Sequence, residues 1–241
     1  MSSIPSLWVP FAEAFPNPID LPADTAKHVG TVLRMQEGER LRLFNGKGAV
    51  VEGTLAKIDR HTLRLVDPVA LDWDHELPIR IRVVQALPKQ MDQLETVLQH
   101  GTELGVDAFD IFRSRRCVAR WDPAKAEQRI ERWRRIVTGA SEQSHRTVLP
   151  DVEWCAEPQF HGDELAIVLH ESAEVAISQV LPDEVPARLS LWVGPEGGFD
   201  PAEVMPWSSR GAAVAHLGPR ILRTETAALA AVSRIIGHYR L

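Results

Sequence analysis

Cysteine is scarce: Cys117 and Cys155 are the only two in 241 residues. So few exclude a disulfide framework and fit a reducing compartment. No CxxC pair exists, which removes the usual structural zinc site, and no metal is expected. No apolar run reaches the roughly 20 residues of a membrane-spanning helix. The opening stretch MSSIPSLWVPFAEAF has no basic segment followed by an apolar one, so no signal peptide is expected and a cytoplasmic location is. GxGxxG, GxxxxGK[ST] and GxSxG are also missing, and His170-Glu171 is not HExxH because position 174 is Glu. Dinucleotide, P-loop and serine-hydrolase readings lose their signatures, as does the zinc-protease reading.

What is present is ordinary in bulk, with 44% hydrophobic and 25% charged residues, enough for one large domain or two of average size. The formal net charge of −6 argues against a nucleic-acid partner, but its distribution argues the other way. From Phe112 to Ile136 the chain reads FRSRRCVARWDPAKAEQRIERWRRI, with eight Arg and one Lys against one Asp and two Glu. Local patches set the field a phosphate backbone feels. The stretch is either a solvated helix face laced with ion pairs or a phosphate-binding surface. Trp8, Trp73 and Trp121 lie near expected loops, where core or interface packing competes with base stacking.

Residues 1–72 have a β texture broken by turn signals. LRLF, NGKG and AVVEGTLAKI form an expected hairpin around Asn45-Gly46. One helix is expected near 23–35, and LDWDHELP (71–78) reads as a linker. Beyond it strands and helices alternate: IRIRVVQAL, a helix from Met91 to Gly105, AFDIF, and a helix opened by Asp122-Pro123. LAIVL, LSLWV, AVAHL and the closing helix TETAALAAVSRIIGHY follow. This predicts an α/β fold, a mainly parallel sheet covered on both faces, behind a small β-barrel-like domain.

Ligands of such sheets sit beyond the carboxyl ends of strands. Three strand ends carry unusual residues: His170-Glu171 after LAIVL, GPEGGF (194–199) after LSLWV, and Gly218-Pro219-Arg220 after AVAHL. Glycines permit close backbone approach and positive φ. Each turn alone is only a tight connection, but together at one sheet edge they point to a ligand site. SEQSHR (141–146), on spacing alone, reads as a polar helix end.

LWVGPEGGFDPAEV with HLGPRILRTETAALAAV resembles the C-terminal half of the RsmE family, the 16S ribosomal RNA uracil-N3 methyltransferases of the SPOUT superfamily. HVGTVLRMQEGERLRLFNGKG, QHGTELGV, RSRRCVAR and SEQSHR carry the resemblance along nearly the whole chain in order. It implies a PUA-like β-barrel RNA-binding domain at 1–72 and a SPOUT methyltransferase domain with a trefoil knot at 73–241. It implies S-adenosylmethionine as cofactor, a homodimer whose active sites draw on both subunits, and 16S ribosomal RNA as partner, within the small subunit and away from membranes. Leu169, His170, Gly194, Glu196, Gly197, Gly198, Leu217, Gly218, Ile221, Leu222 and Arg223 are the implied cofactor residues. Arg34, Gln143, Arg113, Arg115 and Arg116 are expected to bind RNA, with Glu142, Arg146 and Arg220 facing it as well. The sequence departs from the family pattern at Ser6, where arginine is common, at His100, where lysine is, and at His145, where glycine is usual.

Uracil N3 carries a proton that must leave before the nitrogen can attack a methyl group. Arg220 or Arg146 is expected to stabilise the charge that develops on the uracil oxygens, and Glu142 to accept the proton. Glu225 is the expected counter-charge on the sulfonium side. The competing readings are a superfamily enzyme that methylates a ribose 2′-oxygen or another base, and an RNA-binding factor that has lost the cofactor.

Overall fold

The computed structural model describes residues 4–12, 14–57, 62–73 and 75–241. Residues 1–3 and 13 of the opening stretch, Ile58 of the expected β run and Asp74 of the expected linker lie outside them. By its internal contacts the chain divides into two compact units. One runs to Glu76 and takes in Ser141–Leu149; the other comprises Leu77–Ala140 and Pro150–Leu241.

The first unit is a five-stranded sheet with one helix. β1 (Ser6–Trp8), β2 (Ile19–Asp20), α1 (Ala23–Thr31), β3 (Arg40–Phe44), β4 (Val50–Lys57) and β5 (Leu63–Ala70) give the order β1-β3-β4-β5-β2. Only the β1–β3 pair is parallel. The hairpin signal at NGKG joins β3 to β4 because the Asn45 side chain accepts from the N–H groups of Lys47 and Ala49 at 2.8 and 3.1 Å. Leu41, Leu43, Val51, Leu55 and Leu65 pack with Val29 into its core. The helix stops at Thr31, short of the expected Met35, and Arg34 turns into a left-handed conformation at φ 54.

The second unit contains β6 (Arg80–Ala86), α2 (Met91–Glu103), β7 (Ala108–Phe112), a 3₁₀ turn at Pro123–Lys125 and, as far as Ala140, α3 (Ala126–Ser144), whose last turn counts with the first unit. β8 (Asp151–Trp154), β9 (Leu165–Leu169), α4 (Ile177–Val180), β10 (Arg188–Val193), α5 (Pro201–Ser209), β11 (Ala213–Ala215) and α6 (Thr224–Tyr239) complete it. Six strands in the order β11-β9-β10-β6-β7-β8 form a wholly parallel sheet. Of the central strands, β9 is apolar throughout and β10 nearly so, as expected of buried parallel strands, whereas β6 sets Arg80, Arg82 and Gln85 among its apolar residues. After β11, at the sheet edge, the chain returns so that α6 packs on α2 and β10.

Sequence periodicity did not reveal β1, β2, β8 or α4, all of four residues or fewer. It also passed over α5, although Asp200, Pro201 and Glu203 are a complete start signal: Asp200 caps Ala202 N–H and Glu203 reaches back to Asp200 N–H. The expected strand 213–217 ends at Ala215. His216 leaves the sheet, its N–H bonding Val175 O and its Nδ1 accepting from Gly218 N–H at 2.9 Å.

Candidate functional site

The carboxyl ends of β9, β10 and β11 open onto a cavity of about 270 Å³. Its wall comes from three stretches, Leu169–Glu171, Val193–Gly198 and Ala215–Leu222, closed by Thr224 and Ala227 at the start of α6. Ten of the eleven residues expected there line it; Arg223 does not. Arg223 is exposed just before α6, and its carbonyl accepts the Ala227 N–H. Glu171, Pro195, His216 and Thr224 line the cavity as well. Of these, Glu171 and Pro195 stand in strand ends that the sequence already marked, though not among the implied cofactor residues.

The two glycine corners are tied together. The Thr224 hydroxyl donates to Gly194 O at 2.6 Å and accepts from Gln85 Nε2 at 2.9 Å. Gln85 is wholly buried on β6, and its Nε2 also donates to Ala86 O. A helix start, a strand and the GPEGG corner thus share one hydroxyl. His170 N–H donates to Ala215 O, and His170 Nδ1 lies 2.8 Å from the Ser172 hydroxyl. Glu196 accepts from Lys89 N–H at 2.9 Å, which anchors the corner to the loop before α2. Along the Leu217–Leu222 corner, the N–H groups of Leu217, Ile221 and Leu222 have no acceptor among the described residues.

The three glycines of GPEGG have different causes. Only Gly198 has a positive φ, at 65°. A Cβ on it would stand 3.0 Å from Glu171 Oε2, whereas one on Gly194 would stand 3.1 Å from the backbone of Gly198 and Phe199.

The basic stretch divides into two surfaces. Arg113, Arg115 and Arg116 are exposed on the loop after β7. That loop leans on GPEGG and the start of α5: Arg116 donates to Gly197 O at 3.0 Å and Arg115 N–H to Glu203 at 2.9 Å. Lys125, Arg129, Arg132 and Arg135 line a separate groove with Glu95, Gln128 and Ile136, and share no residue with the cavity. Arg220 and Ile221 are exposed at the cavity rim. Glu225 accepts from Gln93 of α2 at 3.2 Å and is not in the cavity wall.

The remaining candidates belong to the first unit. Arg34 and Gln143 are exposed. Glu142 accepts the Trp8 N–H at 3.0 Å, and burial raises its carboxyl pKa against the lowering effects of that bond and of His28. Arg146 is buried, its guanidinium on Glu76 at 2.6 Å. Glu76 also accepts from the N–H groups of Thr147 and Val148. Burial alone would raise the Glu76 carboxyl, but Arg146 and those two N–H groups outweigh it and hold it below the usual range. His145 has φ 60, a conformation that suits the glycine usual at this place in the family pattern.

A wholly parallel sheet with glycine corners around one cavity at its carboxyl edge defines a ligand-binding α/β protein. Residues 75–236 match the family model of an RNA methyltransferase domain, and 21–67 that of an RNA methyltransferase PUA domain. The chain is 36% identical to the ribosomal RNA small subunit methyltransferase E of Mycobacterium tuberculosis, over 88% of this chain and 83% of that one. The Bacillus subtilis protein of the same name is 34% identical, over 86% and 85%. The Neisseria gonorrhoeae enzyme of that name, solved bound to S-adenosyl methionine, superposes with a TM-score of 0.87 at 28% identity over 98% of both chains. The chain belongs to the ribosomal RNA small subunit methyltransferase E family.

Proposed function

We propose that this chain transfers a methyl group from S-adenosylmethionine to N3 of a uridine in 16S ribosomal RNA of the small subunit. The observation that carries the proposal is the convergence of GPEGG and LGPRIL on one cavity beyond the parallel strands. The lining suits the cofactor. Free N–H groups on the Leu217–Leu222 corner offer donors to an adenine edge. The Glu171 and Glu196 carboxylates in the wall favour a cation. Gly194 and Gly198 keep the wall free of side chains that would collide with the backbone or with Glu171.

The cofactor supplies the electrophilic methyl group, so the chain's task is alignment and control of one proton. Arg220, exposed on the cavity rim, is the cation proposed to stabilise the uracil oxygens as N3 loses its proton. Arg146 is the alternative, but its guanidinium already serves Glu76. Glu142 is the proposed proton acceptor, because a carboxyl raised by burial binds a proton more readily than an exposed one. The first unit, on this reading, is a PUA-like RNA-binding domain that contributes Arg34 and Gln143. Arg113, Arg115 and Arg116 hold RNA beside the cavity. The second unit carries the trefoil knot, and the enzyme acts as a cytoplasmic homodimer.

The test is nucleoside mass spectrometry of small-subunit RNA from cells with and without the protein. N3-methyluridine is expected only in its presence. A 2′-O-methylated nucleoside instead would move the enzyme to another reaction. Arg220→Ala is expected to lower turnover by about a hundredfold while calorimetric cofactor affinity changes little. Unchanged turnover would remove Arg220 from the mechanism.

A further inference from the structure

We infer that the cationic groove on α3 seats the phosphate backbone of single-stranded RNA, outside the cofactor cavity. The proposal takes from the preceding section only that the substrate is an RNA.

The groove has a volume of about 590 Å³ and is lined by Lys125, Gln128, Arg129, Arg132, Arg135 and Ile136, with Glu95 from α2. Arg129, Arg132 and Arg135 recur every third residue, so they share one side of the helix. From Lys125 to Arg135 the helical rise spans roughly 15 Å, room for two or three phosphates of an extended strand. Neither of the helix's own nearby carboxylates, Glu127 and Glu131, lines the groove. Glu95 is the one acid in it, and Arg132 takes it with contacts of 2.7 and 2.8 Å. Lys125, Arg129 and Arg135 have no carboxylate partner among the described residues.

Arg129 is held ready for an anion. Its guanidinium lies 5.4 Å from the centre of the Trp121 ring, which stacks on Trp154 at 3.7 Å with 2° between planes. One of its terminal nitrogens is buried with no hydrogen-bond partner among the described residues. That nitrogen is closed to solvent, so a phosphate oxygen would meet the other donors of this guanidinium, which the aromatic face braces in place. Like charges three residues apart on a helix repel, and a bound polyanion offsets that repulsion. Ile136 is the only apolar residue in the lining, whereas a protein-docking groove has an apolar centre.

The test uses the full chain and a fluorescent single-stranded oligouridylate of about 15 nucleotides, with anisotropy read at several salt concentrations and no methylation involved. In the Arg129→Gln/Arg135→Gln variant the slope of log affinity against log salt is expected to fall by about 1.5, and low-salt affinity by about tenfold or more. Calorimetric affinity for S-adenosylmethionine and the thermal midpoint are expected to hold. Arg134→Gln, whose side chain is absent from the groove lining, is the control and should change the slope by less than half as much. An unchanged slope overturns the proposal, and so does an equal effect from Arg134→Gln. A changed oligomeric mass with the slope intact also overturns it and assigns the groove to a protein contact. Failure of the methylation reading looks different: no cofactor binding by the wild type and no methylated nucleoside, with the RNA slope untouched.

Discussion

At Gly194 an added Cβ would stand 3.1 Å from backbone atoms of Gly198 and Phe199, so the turn itself would have to shift to admit it. At Gly197 the nearest atoms are those of the Arg116 side chain at 3.6 Å, an ordinary contact. Gly194→Ala is therefore expected to abolish calorimetric cofactor binding and lower stability by about 2 kcal/mol. Gly197→Ala should leave both within error, and equal effects would refute this account of the corner. Thr224 gives a second test at this scale. Thr224→Val keeps the shape but leaves the Gly194 carbonyl and the Gln85 amide short of a partner in a buried site, a cost of about 1–3 kcal/mol. Cofactor affinity should weaken about tenfold by calorimetry, and Thr224→Ser should restore it to within about threefold. If Ser fails to rescue, the hydroxyl is not what ties the corners together. The glycines were legible as a motif because turns that approach a ligand need them. Which glycine needs positive φ, and which needs empty space, depends on Glu171 and Phe199, whose positions only the folded sheet fixes. Gln85 gave no signal at all, since a glutamine inside an apolar strand looks like an interruption until its partner, 139 residues on, arrives.

The strand-helix alternation of the second unit was readable because fully buried parallel strands and capped helices each leave a strong pattern. β1, β2, β8 and α4, of four residues or fewer, left none, since too few side chains repeat to show a period; β11, equally short, showed only through the longer run AVAHL. The stretch 71–78 reads as a polar linker, yet Glu76 within it organises the segment that follows α3. Its carboxylate takes Arg146 and the N–H groups of Thr147 and Val148. The charge is visible in the sequence; a partner 70 residues away is not. Removing the carboxylate takes the opposite charge away from a buried guanidinium, so Glu76→Gln should cost about 3 kcal/mol near neutral pH. The sign of the pH dependence follows from the lowered pKa. The stabilisation is full above the ordinary carboxyl value of 4.5 and fades as pH falls through the lower folded-state value. Urea unfolding should give a wild-type advantage that shrinks as the solution is made more acid. An advantage independent of pH would mean that Glu76 stabilises by shape alone.

For the molecule as a whole, the sequence carried the two textures and the contrast between a chain of net charge −6 and one strongly basic stretch. It could not carry threading, because periodicity records which face of an element is buried and not the order in which segments pass one another. Nor does it say which surfaces a second copy would cover. One residue bears on that question. Ile221 lines the cavity and yet is 82% exposed, beside the exposed Pro219 and Arg220. A large aliphatic side chain fully withdrawn from water is worth about 1.5–3 kcal/mol, and the same side chain left at the mouth of a cavity gains none of it. A partner subunit laid over the rim would bury Ile221 and bring its own groups to the acceptor side of the site, as the proposed homodimer requires. Light scattering is then expected to give twice the 26.9 kDa of one chain. Ile221→Asp should move that mass toward a single chain and lower turnover at least about tenfold, since a charge in an apolar contact must be desolvated without a partner. A wild-type protein that is monomeric at full turnover would leave Ile221 to the RNA or the cofactor and would remove the second subunit from the mechanism.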